Sequence, residues 1–269
     1  MTEKSKMPPA MILCGGKGTR IRDVSELIPK PMVPIGDQPI LWHIMKCYAA
    51  FGVKRFILCL GYKKEEIIDY FLNFHARASD MTLQLGDLCK MDFHSNYEEA
   101  DWTVTLAHTG LETMTGGRVL KASRYLYEDE DFFLTYGDGV SDVNIQELYD
   151  FHKKNGREIT LTSVHPEGRF GEMRIEDGKV LEFSEKRART EGVINGGFMV
   201  LKKSFVERFI DPNRDDFLER EPMRRAVAAG EMSSFTHDGF WQCMDTLREY
   251  QLLNEMWASG NAPWTKYWS

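Results

Sequence analysis

The stretch Met11-Ile-Leu-Cys-Gly-Gly-Lys-Gly-Thr-Arg20, with Lys30-Pro31 following it, decides how the rest of the chain is read. Met11 to Cys14 is an uninterrupted apolar run, the pattern of a buried strand. Gly15, Gly16 and Gly18 then punctuate it. Glycine accepts positive φ and lets a ligand approach the backbone closely. Successive N–H groups in such a turn converge into an anion-holding concavity, and Arg20 and Lys30 add two cations to it. The combination suits a triphosphate, although GGxG alone also describes an ordinary strand-to-loop turn. The spacing is neither GxxxxGK[ST] nor GxGxxG.

Working outward, Pro29, Pro31 and Pro34 fix an extended path that aims Lys30, because proline locks its own φ and biases its predecessor away from helix. Pro39 opens a predicted helix through Ile40, Leu41, Ile44, Met45 and Tyr48, closed by Gly52. His43 inside it is expected to be a packed histidine. Residues 55–60 read as a second buried strand and residues 64–74 as a second amphipathic helix. This alternation predicts right-handed βαβ units on a parallel sheet. Ligands bind beyond the carboxyl ends of such strands, where the glycine turn stands.

Residues 76–101 break the rhythm and read as an insertion; their His and acidic residues match no compact metal-ligand set. A strand at 101–108 leads to Thr113 and to Gly116-Gly117-Arg118, two glycines before a helix that offer backbone donors again. The strand at 131–136 runs straight into Tyr136-Gly-Asp-Gly139. An Asp freed by flanking glycines at a strand's carboxyl end suits Mg²⁺, which prefers one or two carboxylates plus phosphate oxygens. Asp-Gly is also a common turn, so both readings of Asp138 stand. Asp142 is expected to cap a helix over 143–155. Then come a strand at 159–164, a hairpin around Asp177-Gly178, Ser184-Glu-Lys-Arg187 and a strand at 193–200. Helices are predicted at 202–209 and 217–229, a last strand at 233–237, and a helix over 246–257 for which Asp245 is either cap or ligand. An aromatic tail, 262–269, packs on the body or on a neighbouring subunit.

The chain has 269 residues, 42% hydrophobic and 28% charged, with a formal charge of −7. That length allows one domain with an elaboration. The negative balance argues against non-specific binding of nucleic acid or anionic membrane. No apolar run approaches the roughly 20 residues of a spanning helix. Residues 1–9 read as a disordered leader and 10–269 as one domain. Five scattered cysteines without a CxxC pair suggest neither zinc nor a disulfide framework, and fit a reduced cytoplasm. Cys14 reads as a small buried residue rather than a nucleophile.

The full signature GGxGTR-x9-KPM resembles the sugar nucleotidyltransferases, the sugar-phosphate pyrophosphorylases. The strings Trp42-His-Ile-Met45, Thr115-Gly-Gly-Arg118 and Tyr136-Gly-Asp-Gly-Val-Ser-Asp142 are similar to the cytidylyltransferase branch. The resemblance covers nearly the whole chain after the leader, and implies a nucleotide-binding part at about 10–142, a sugar-phosphate-binding part at about 143–246, and a C-terminal helix and aromatic tail at 247–269. It implies an α/β fold with a Rossmann-like, mixed but mostly parallel sheet flanked by helices, of the GT-A-like kind, with a small β-rich sugar-binding elaboration. It implies an enzyme that joins CTP and glucose 1-phosphate with Mg²⁺, is cytoplasmic and homo-oligomeric, and has no nucleic-acid or membrane partner. UTP, dTTP or another sugar 1-phosphate remain alternatives of the same chemistry, and a non-catalytic nucleotide-binding regulatory subunit is the alternative of another class.

The family's roles carry over residue by residue. Arg20, Lys30 and Asp138 are implied as catalytic. Leu13, Cys14, Gly15, Gly16, Lys17, Gly18, Thr19, Arg20, Lys30, Thr113, Arg118 and Gly137 are implied to hold the nucleotide. Tyr136, Glu185, Lys186, Asn195 and Gly196 are implied to hold the sugar phosphate, and Asp138 and Asp245 the metal. Two departures stand out: Arg187 and Cys243 occupy positions where relatives carry proline.

Overall fold

The computed structural model describes residues 7–16, 28–86, 90–94, 97–128, 130–166, 172–176, 179–184 and 192–268. The elements used below, in chain order, are β1 (Ala10–Leu13), α1 (Ile40–Ala49), β2 (Arg55–Leu60), α2 (Lys64–Leu72), β3 (Thr103–His108), α3 (Thr115–Ala122), β4 (Asp131–Tyr136), β5 (Gly139–Ser141) and α4 (Ile145–Asn155). They continue with β6 (Ile159–Val164), β7 (Glu172–Glu176), β8 (Lys179–Ser184), β9 (Ile194–Lys202), α5 (Lys203–Phe209), α6 (Glu221–Ala228), β10 (Met232–His237), β11 (Trp241–Cys243) and α7 (Leu247–Ala258).

A seven-stranded sheet runs in the order β10-β6-β9-β4-β1-β2-β3. Strands β1, β2, β3 and β4 pair in parallel, as do β6 and β10. Only β9 runs against its neighbours, β6 and β4. The sheet is therefore mixed and mostly parallel, as expected. The runs Ala10–Leu13, 56–60 and 132–134 in its central strands are apolar without alternation because both faces are covered. In β1, Ala10 and Ile12 enter one core, with α1 and α4, while Met11 and Leu13 enter the other, with α3, α5 and α6. Phe56 and Leu58 against Ile57 and Cys59 repeat the division in β2. Fully burying a side chain such as Phe56 stabilises the fold by about 1.5–3 kcal/mol.

β7 and β8 form the predicted antiparallel hairpin. The stretch read as an insertion contributes a short hairpin, Met81–Leu83 against Met91–Phe93. No helix among the described residues is long and apolar enough to cross a membrane. The aromatic tail packs on the body: Trp264 is fully buried and sits edge-on to His43, which Trp42 and Trp257 also flank.

Several expectations need correction. Residues 7–9, read as part of a disordered leader, are packed on the body: Met7 is buried in the core and the Pro9 carbonyl accepts a hydrogen bond from the Phe133 N–H. Gly116 and Gly117 lie inside α3, not before it. The Gly116 N–H donates to the Asp216 carbonyl, and a Cβ on Gly117 would stand 2.2 Å from the Asp215 carboxylate, so the pair makes room for a neighbouring segment. The helix read at 217–229 begins only at Glu221, with Pro222 in its first turn. Asp142 does not cap α4; Asn144 does, accepting from the Glu147 N–H, while Asp142 accepts from the Phe240 N–H.

Candidate active site

A cleft of about 450 Å³ opens at the carboxyl ends of β1 and β4, lined among others by Gly15, Gly16, Lys30, Thr113, Gly137, Asp138 and Asp245. Leu13, Cys14, Arg118 and Tyr136 also face it. Its floor is built from two strand ends in register, with Leu13 beside Tyr136 and the Gly137 N–H donating to the Leu13 carbonyl at 3.1 Å. A Cβ on Gly137 would meet that carbonyl and the Pro31 ring at 3.0 Å each, so a larger residue would push strand, turn and proline segment apart by a few tenths of an ångström.

Two carboxylates far apart in sequence meet on one ammonium. Lys30 Nζ donates to Asp138 Oδ2 at 2.5 Å and also to Asp245 Oδ1. Asp138 is delivered by the β4–β5 turn and Asp245 by the end of β11, and the strands are stitched by Gly139 opposite Cys243 and by the Met244 N–H donating to the Asp138 carbonyl. Asp245 faces the cleft, and the cap of α7 is supplied by Thr246 in a capping box with Glu249. Burial by itself pushes the Lys30 ammonium pKa down, but the carboxylates, Asp138 foremost, outweigh burial and the net shift is upward. The ammonium stays charged.

Two carboxylates converging on one positive centre form an all-oxygen donor set suited to a hard divalent cation that completes its shell with phosphate oxygens. Among the described residues no group of three or more His, Cys, Asp or Glu side chains could hold a metal by itself. The residues thus fit a cation that arrives with a phosphate ligand.

Arg118 is placed differently from a free phosphate clamp. Its guanidinium is buried and donates to the carbonyls of Gly15, Leu60, Gly110 and Leu111 and to the Thr109 hydroxyl. Burial lowers its pKa. It ties the glycine turn to the ends of β2 and β3, and a Cβ on Gly15 would lie 2.1 Å from it. Thr113 donates to the Thr109 carbonyl and accepts from Lys121. Cys14 is buried and its thiol pKa is raised well above normal, by desolvation first, as befits a packed residue.

On the far wall, Tyr136 donates to Glu219 Oε1 at 2.5 Å and Glu219 Oε2 accepts from Thr115. Burial, then the Glu219 charge, raises the tyrosine's pKa. Asn195 lies behind Tyr136, accepting from the Gly197 N–H, and the Gly196 carbonyl accepts from Trp241 Nε1. Glu219, and Asp215 accepting from the Met114 N–H at the start of α3, were not singled out from the sequence. Both belong to a polar stretch whose neighbours come from a hundred residues away. Lys17, Gly18, Thr19, Arg20, Glu185, Lys186 and Arg187 lie outside the described residues.

A family model described as nucleotidyl transferase matches residues 9–258. The chain belongs to the nucleotidyl transferase family. It is 46% identical, over 96% of its length and 99% of the relative, to the glucose-1-phosphate cytidylyltransferase of Salmonella typhi. It is 40% identical, with the same coverage, to a probable glucose-1-phosphate cytidylyltransferase of Bacillus subtilis. Among solved structures, HddC from Yersinia pseudotuberculosis complexed with GMP-PN superposes with a TM-score of 0.66 at 22% identity, covering 93% of this chain and 100% of that one. The inositol-1-phosphate CTP transferase of T. maritima superposes with a TM-score of 0.62 at 16% identity, covering 93% and 96%. At these identities the superpositions establish the nucleotidyl transferase fold.

Proposed function

We propose that this nucleotidyl transferase transfers a cytidylyl group from CTP to α-D-glucose 1-phosphate, giving CDP-glucose and pyrophosphate. The observation that carries the reading is the meeting of Asp138, Asp245 and Lys30 in a cleft edged by the glycine turn. The identity to glucose-1-phosphate cytidylyltransferases supports the choice of substrates.

In this reading a sugar-phosphate oxygen attacks the α-phosphorus of CTP; the new P–O bond forms as the bond to the β-phosphate breaks, and pyrophosphate carries away the electron pair. The nucleophile is already anionic, so no general base is needed, and the protein's task is alignment and charge neutralisation. The Gly15 and Gly16 backbone flanks the triphosphate, and the family resemblance assigns Gly18 and Arg20 to it as well. Lys30 stabilises charge gathering at the α-phosphorus. The family resemblance gives Lys186 the task of holding the incoming phosphate against its repulsion, and gives Glu185, Asn195 and Tyr136 the sugar. Asp138 and Asp245 hold Mg²⁺, which when bound neutralises phosphate charge. The enzyme works as a homo-oligomer in the cytoplasm.

The test is to incubate the protein with Mg²⁺, glucose 1-phosphate and each nucleoside triphosphate in turn, following pyrophosphate. CTP is expected to give the fastest release. Faster release with UTP or dTTP, or with a different sugar 1-phosphate, reassigns the substrate, and no release with any pair refutes the transferase reading.

A further inference from the structure

The Lys30 ammonium occupies the point on which both carboxylates converge, and its backbone is anchored separately from its charge. Pro29 and Pro31 bracket it, the Met32 N–H donates to the Pro29 carbonyl, and the Val33 N–H donates to the Lys30 carbonyl. The Pro31 ring is wedged against Gly137. The side chain is buried between the two carboxylates but lines the cleft, so the flexible four-carbon stem of lysine can turn its charge into that space once the carboxylates are otherwise satisfied. One ammonium offsets only one of the two carboxylate charges now. A divalent cation on the same pair would offset both and release the ammonium to a phosphate.

We propose that Lys30 is the resident counter-ion of the Asp138–Asp245 pair and is exchanged off it when a divalent cation enters, so that Lys30 sets the protein's affinity for metal as well as serving the phosphates. This rests on the reading above that the two carboxylates hold the metal. Without nucleotide the ammonium competes for the carboxylates and the metal binds weakly, because an occupied site lowers apparent affinity by the fraction that is vacant. With nucleotide the displaced ammonium finds a phosphate, and the exchange becomes favourable. Metal and nucleotide are thereby coupled through one side chain.

The test is direct titration of nucleotide-free protein with Mn²⁺, followed by electron paramagnetic resonance. Lys30→Met and Lys30→Gln are expected to bind Mn²⁺ about tenfold or more tightly than the parent. Lys121→Met is the control for a general change of charge, since Lys121 donates to Thr109 and Thr113 and touches neither carboxylate; its affinity should match the parent's. Asp138→Asn in the Lys30→Met background should lose the added binding. Unchanged or weaker binding in both Lys30 variants, with Asp138→Asn still abolishing it, overturns the exchange and leaves the metal site standing. Binding that survives both Asp138→Asn and Asp245→Asn overturns the metal site itself. If the Lys30 variants fail to fold, the lysine side-chain ¹⁵N resonance of the parent protein decides: it should shift as Mg²⁺ is added, and an unmoved Lys30 signal at saturating Mg²⁺ refutes the exchange.

Discussion

Asp138 and Asp245 share one cation while both line the cleft, so each carboxylate's effect runs through the other. Replacing one changes both the charge offered to a ligand and the hold on Lys30. Asp138→Asn is therefore expected to cut turnover by about 10²- to 10³-fold, the scale of losing one electrostatic contact in a transition state. Its circular dichroism should match the parent's, since Asp138 is not in the apolar core. Near-parental turnover at saturating Mg²⁺ would remove Asp138 from the site. The glycines beside Arg118 are a second residue-scale case. A Cβ on Gly61 would stand 2.4 Å from the guanidinium and 2.8 Å from Gly15 Cα. Arg118 is held by carbonyls on several sides and has little room to yield. Gly61→Ala should cost about 1–3 kcal/mol, as overpacking does, measurable as a lower urea midpoint. It should also weaken nucleotide binding by shifting the turn.

At the scale of the element, helix α7 shows how a cap serves a site. Thr246 Oγ1 accepts from the Glu249 N–H, and Glu249 Oε2 accepts from the N–H groups of Thr246 and Asp245. The helix start is satisfied without using the Asp245 carboxylate. Thr246→Ala should lower stability by about 1 kcal/mol and, because Asp245 is the adjacent residue, lower turnover as well. A variant with reduced thermal midpoint but parental kcat would show that the cap leaves the carboxylate unmoved. Helix α3 carries a related arrangement: Asp215 accepts from the Met114 N–H at its start, a negative charge where the helix dipole favours one.

For the whole molecule, two histidines are buried neutral. His43 accepts from Trp264 Nε1 at Nδ1 and donates from Nε2 to the Ile35 carbonyl; a second proton would put two donors face to face. Burial lowers its pKa to about 4. His152, also fully buried, is held down to about 4 for the same reason. Both folded values lie below the unfolded one, so the unfolded chain binds more protons under acid conditions. Their contribution is complete above about pH 6.5 and is lost as pH falls from there toward about 4, at up to about 1.4 kcal/mol per pH unit for each. Urea midpoints measured between pH 7 and 5 should fall, and more gently in His43→Gln than in the parent. An equal slope would show that His43 does not drive the effect.

Regular elements were legible because periodicity and propensity are local. The short apolar runs of β1, β2 and β4 read as buried strands, and Pro39 placed the start of α1. Family membership was likewise carried by the glycine turn and its following lysine and proline. Contacts between distant segments were not legible. Nothing local says that Asp142 accepts from the Phe240 N–H instead of capping α4, that Gly116 and Gly117 yield to Asp215 and Asp216, or that Arg118 turns inward to backbone carbonyls. Those outcomes follow from which polar groups are left without water once the sheet has closed. A buried donor must find an acceptor, and only the packed chain determines which one stands within reach.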